Sequence, residues 1–136
     1  MKLKDKVVIV TASTRGIGLA VTESCAKEGA VVYMAARNLE RAEKEATRLN
    51  NAGFKVRCVY NDASVPESYA SMAEEVAKNE GRIDVLVNNF GTSDPKRDLD
   101  LASTDANVFI NTVTLNLRSV LTSTSILPSF FATPLP

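Results

Sequence analysis

Histidine is missing from the 136-residue chain. That excludes a histidine-dependent catalytic triad and a histidine-ligated metal. Cysteine is scarce: Cys25 and Cys58 lie far apart and offer neither a disulfide framework nor a metal-ligand spacing. Net charge is missing too, because 16 basic and 16 acidic residues cancel. A balanced chain gives no reason to expect nucleic acid or an anionic membrane surface as partner. Long apolar runs are absent. The amino-terminal VVIV, flanked by Lys2, Lys4 and Lys6, is too short for a signal-peptide core, and no later segment is long enough to span a membrane. A cytoplasmic location is the expectation.

What is present reads as one ordinary globular unit, 45% hydrophobic and 24% charged. Val7 to Val10 is a β-branched run suited to a buried parallel strand. Residues 16–28 turn helical, with Ile17, Val21 and Cys25 recurring every fourth position as the expected buried face and Gly29 as the stop. AVVYMAA, 30–36, predicts a second buried strand, and Asn38 a cap for a charged helix ending near Gly53. FKVRCVY, 54–60, alternates, with Phe54, Val56, Cys58 and Tyr60 on the drier side of an edge strand. Ser64 and Glu67 have the spacing of a capping box before a helix that Gly81 ends. IDVLVNN predicts a fourth strand, and a last helix is expected around 105–125. Strand and helix alternate, which favours parallel strands joined by right-handed crossovers. The pattern is an α/β, doubly wound parallel sheet cut short after about four strands. Residues 1–127 are expected to form a partial dinucleotide-binding domain, and 128–136 a proline-rich tail.

Between the first strand and the first helix lies TASTRGIG, 11–18. Helix-start N–H groups have no intrahelical partner, and the helix dipole adds positive potential there. Small residues let a pyrophosphate come close. The alternative is a tight strand-to-helix turn without a ligand. A second clue sits at the end of the second strand. In dinucleotide folds an acidic residue there holds the ribose hydroxyls. This chain has Ala36, Arg37 and Asn38 instead. A guanidinium suits a 2′-phosphate, and Arg15 in the loop reaches toward the same place. The pair favours NADP over NAD.

TASTRGIG, Asp62, NNFG at 88–91 and Asn116, in this order, resemble the short-chain dehydrogenase/reductase family over residues 5–120. The wording YMAAR and VNNFGT is similar to bacterial hydroxysteroid dehydrogenases of the bile-acid type. The resemblance implies a Rossmann-type fold and hydride transfer between NADP and a small-molecule alcohol or carbonyl. It implies that Ser13, Thr14, Arg15, Gly16, Ile17 and Gly18 surround the pyrophosphate and that Arg37 takes the 2′-phosphate. Asp62 would meet the adenine amino group, Asn89 and Gly91 the ribose side, and Asn116 would hold a water in the proton relay as the catalytic contribution. Ala12 stands where the family has a glycine, and Phe90 where it has alanine.

One family feature is absent. None of Tyr33, Tyr60 and Tyr69 is followed four residues later by lysine; those positions hold Arg37, Ser64 and Ala73. The chain alone is therefore expected to bind NADP weakly and not to turn over substrate. The expected fourth strand, lacking an outer neighbour, would expose unpaired backbone. A non-catalytic nucleotide-binding or oligomerisation module is the alternative, with a homo-oligomer among the partners left open.

Overall fold

The computed structural model of the chain describes residues 1–97, 100 and 102–130. β-Branched side chains are stiff and favour extended backbone, and the run at the start forms β1, Val7–Thr11, buried throughout. It is followed by α1 (Gly16–Lys27), β2 (Val31–Ala36), α2 (Leu39–Asn51), β3 (Lys55–Tyr60), α3 (Glu67–Glu80), β4 (Val85–Val87) and α4 (Ala106–Ile126). The strands are all parallel and lie in the order β3-β2-β1-β4. After β3 the chain therefore crosses to the far side of β1. That reversal opens a crevice at the carboxyl ends of β1 and β4, the place where open α/β sheets bind ligands.

Alternate residues of each strand feed two cores. Val8, Val10, Val32, Met34 and Val56 pack with Ala26, Ala46 and Leu49 from α1 and α2. Val7, Ile9, Tyr33, Ala35 and Val59 pack with Tyr69, Met72, Ala73 and Val76 from α3. Ile126 and Phe130 join this second core at its margin, so the chain stays packed past a short 3-10 turn at Leu127–Ser129. The remainder of the expected tail, 131–136, lies outside the described residues. No helix among the described residues is long and apolar enough to cross a membrane.

Four local expectations need correction. On α1, Val21 and Cys25 pack at the margin of the first core, but Ile17 is 77% exposed and the buried residues are Gly18, Thr22 and Ala26. Small side chains at 18, 22 and 26 let the helix lie close to the sheet. Tyr60 is exposed rather than on the dry face, because it sits at the carboxyl end of β3 beyond the covering helices. Ser64 does not cap α3. Its N–H and hydroxyl both go to Asp62 Oδ1, 2.8 and 2.6 Å away, in an Asx-type turn. The fourth strand is only three residues long. As expected, it lies at the sheet edge, paired only with β1 among the described residues. One face of α4 is also uncovered, with Phe109, Ile110, Leu117 and Leu121 each more than half exposed.

Asp84 holds the start of β1 against the approach to β4. Its carboxylate accepts the Val7 N–H at 2.9 Å, Lys6 Nζ at 3.2 Å and Arg82 Nη2. Burial raises its pKa, but the bonds from Arg82, the Val7 N–H and Lys6 outweigh that and hold it below the usual carboxylate value. A depressed folded-state pKa gives stability that is complete above the unfolded value, near 3.9, and lost as pH falls through the folded one. Asp84→Asn is expected to cost about 1–2 kcal/mol at pH 7, the modest end because Lys6 and Arg82 are partly exposed. In urea unfolding the gap to the parent should close as the pH drops below about 4. An equal gap at both pH values would refute this role.

Candidate functional site

The crevice is organised around Thr11, the last residue of β1. Its hydroxyl accepts the N–H groups of Asn89 (3.0 Å) and Phe90 (3.2 Å) and donates to the Val87 carbonyl at 3.3 Å. The Asn89 side-chain amide donates to the carbonyls of Thr11 (3.2 Å) and Ala12 (3.1 Å). The loop after β1 is thus tied to the end of β4. Within it Ala12 has φ +50°, a left-handed conformation that L side chains rarely adopt. Gly18 is held under this arch. A Cβ there would meet Asn89 Nδ2 at 2.5 Å, the Ala12 carbonyl oxygen at 2.6 Å and Ser13 Cα at 2.8 Å.

Beside the loop lies a cavity of about 490 Å³. Ala12, Thr14 and Arg15 form one wall; Ala35 to Asn38 and Arg41 form the second, from β2 and the start of α2. Asn61 to Ser64, after β3, form the third, and Phe90, Gly91, Thr92 and Leu115 the fourth. Three guanidinium groups face one carboxylate, that of Asp62. Hydrogen bonds from the Ser64 hydroxyl and N–H, with help from the charge of Arg37, hold Asp62 below the usual carboxylate range against a small burial effect. The first turn of α1 has no side-chain cap and no acidic residue. By contrast, Asn38 caps α2, accepting the Arg41 N–H at 2.9 Å.

Of the residues singled out from sequence, Thr14, Arg15, Arg37, Asp62 and Gly91 share this cavity. Ser13 lies fully buried behind it, its hydroxyl without a partner among the described residues. Gly16 and Gly18 start α1, and Ile17 projects from it. Asn89 braces the loop from below. Asn116, on α4, gives both ends of its amide to Thr92: Oδ1 accepts the N–H at 2.8 Å and Nδ2 donates to the carbonyl at 2.9 Å. It pins the segment after β4 to α4. Sequence reasoning missed Thr11, Arg41, Thr92 and Leu115. A signal existed only for Arg41, which stands four residues beyond Arg37 in sequence.

The short chain dehydrogenase family model matches residues 6–133. The chain belongs to this family. Among curated members it is 45% identical over 119 residues to a 7alpha-hydroxysteroid dehydrogenase of Clostridium sardiniense, covering 88% of this chain and 45% of that protein. It is 43% identical to the enzyme of the same name from Paraclostridium sordellii, with the same coverage. A metagenomic short-chain oxidoreductase solved in complex with NADP superimposes with a TM-score of 0.83 at 26% identity, covering 95% of this chain and 57% of that one. The chain thus spans a little under half the length of the curated relatives it matches.

The nicotinamide dinucleotide that a short chain dehydrogenase fold implies carries a pyrophosphate and an adenosine. The residues present fit it. Among the described residues a buried serine hydroxyl lacks a partner, the first turn of α1 has no side-chain cap, and cations outnumber carboxylates around the cavity. The loop geometry predicts opposite effects at two small residues. Ala12→Gly removes left-handed strain and should raise unfolding stability by about 0.5–1 kcal/mol, once glycine's larger unfolded-state entropy is subtracted. Gly18→Ala pushes against backbone and should cost about 1–3 kcal/mol. Chemical denaturation of the two variants checks both signs; a stabilising Gly18→Ala would contradict the close approach.

Proposed function

We propose that this chain is the coenzyme-binding part of an NADP-dependent short chain oxidoreductase acting on an alcohol or carbonyl, with a hydroxysteroid as the substrate class. The observation that carries the coenzyme choice is the end of β2. No carboxylate stands there, and Arg37 lines the same cavity as Arg15. A carboxylate would accept from free ribose hydroxyls, whereas guanidinium groups bind a 2′-phosphate by charge-assisted hydrogen bonds. The hydroxysteroid assignment rests on the relatives' names and on identity above 40%.

In this reading the coenzyme supplies hydride chemistry, and the chain positions it. Ser13, Thr14, Arg15 and the N–H groups of Gly16, Ile17 and Gly18 hold the pyrophosphate. Asp62 accepts from the adenine amino group, and Asn89 and Gly91 shape the ribose side. Asn116 contributes by fixing Thr92 on the cavity rim. The proton-transfer step needs a tyrosine and lysine pair that this sequence does not contain. The chain alone therefore binds coenzyme without turning over substrate, and it acts in the cytoplasm.

Titration of the purified chain by coenzyme fluorescence is expected to give NADPH affinity at least about tenfold above NADH, the equivalent of one charge-assisted contact. Arg37→Glu should abolish that preference. No oxidation of a bile-acid alcohol is expected under the same conditions. Equal affinities in the parent would overturn the NADP assignment, and measurable turnover would overturn the binding-only reading.

A further inference from the structure

We infer that Arg41 is a specificity-determining residue, a third cation for the coenzyme's ribose phosphate; this rests on the NADP reading above. At the ends of α1, α2 and α3 most charges sit where the dipole favours them. Lys27, Arg48 and Lys78 sit in the last turns of α1, α2 and α3, and Glu40 and Glu67 in first turns. Arg41 departs from this pattern, as Glu80 does at the end of α3. It lies in the first turn of α2, where a positive charge opposes the dipole. Arg37, ahead of the Asn38 cap, lines the same cavity, and Lys44 lies three residues on along the helix, so like charges flank it.

The acid that would relieve this at four residues' spacing is Glu45, and it is engaged elsewhere. Arg48 Nε bonds Glu45 at 2.9 Å, and the same guanidinium reaches Glu23. Among the described residues no ion pair engages the Arg41 side chain, which instead lines the cavity with Arg15 and Arg37. The Asn38 cap on the Arg41 N–H fixes where the side chain departs. A residue that works against its own helix and is left unpaired beside a polar cavity has the chemistry of an anion ligand. A doubly charged phosphate monoester, met by Arg37 from ahead of α2 and by Arg41 from its first turn, relieves the repulsion between them.

The test compares the full chain with Arg41→Gln and Arg41→Lys by calorimetric titration of 2′,5′-ADP, 5′-ADP, NADPH and NADH. Arg41→Gln should weaken 2′,5′-ADP and NADPH five- to twentyfold and leave 5′-ADP and NADH unchanged. Arg41→Lys should retain part of the preference. Without ligand, the unfolding midpoint of Arg41→Gln should equal or exceed the parent's, which a merely structural arginine would not give. Two results would overturn the role of Arg41: an equal loss for both nucleotide types, or no loss while Arg37→Glu still abolishes the preference. The second of these leaves the NADP reading standing. A parent chain that binds 2′,5′-ADP and 5′-ADP alike would overturn both.

Discussion

A single hydroxyl, that of Thr11, sets the geometry on which the site depends. It receives two N–H groups from the end of β4 and gives its proton to a third backbone group on that strand. A buried hydroxyl satisfied in this way cannot be moved without leaving several polar groups unpaired. The carboxyl ends of β1 and β4 are thereby locked together, and Asn89 carries the lock upward into the loop. The left-handed turn at Ala12 is over-determined by these bonds, which is why a residue other than glycine is held there. Helix α1 then starts where the loop releases it, with its first turn open toward the crevice.

Electrostatics follow from this placement. The cavity gathers three guanidinium groups where helices begin, the end that already carries positive potential. In the free chain that is an unfavourable concentration of like charge. Elsewhere some charges are paired within the fold, as in the Arg57–Glu80 contact beside Tyr33 and the bonds of Arg48 to Glu23 and Glu45.

The alternating strands and helices were legible because their signals are local. A β-branched run, a capping asparagine and glycine stops each act within a few residues, and Gly81 ends α3 with φ +74° as such a stop does. The site was legible where short polar stretches end strands: Thr14, Arg15, Arg37 and Asp62. Illegible parts have distant or competing causes. The partners of Thr11 are 78 and 79 positions away, so nothing near it in sequence marks its role. Ile17 shares the fourfold period of Val21 and Cys25, which pack at the core's margin, yet it is itself exposed, and the most deeply buried stripe is the small-residue one a position over. Ser64 and Glu67 had capping-box spacing, but Asp62 sits closer and took the hydroxyl first.

The doublet Asn88-Asn89 carries one more consequence. Successive residues leaving a strand point to opposite faces. Asn88 Oδ1 accepts the Ser123 hydroxyl at 2.6 Å on α4, while Asn89 turns to β1 and its loop. Two identical amides therefore rivet two different layers, one behind the sheet's end and one along it. Sliding the strand by a single residue would put one amide in its twin's seat and a phenylalanine or a valine in the other. The doublet acts as a registration pin: either layer alone would tolerate the wrong alignment, and only both together reject it.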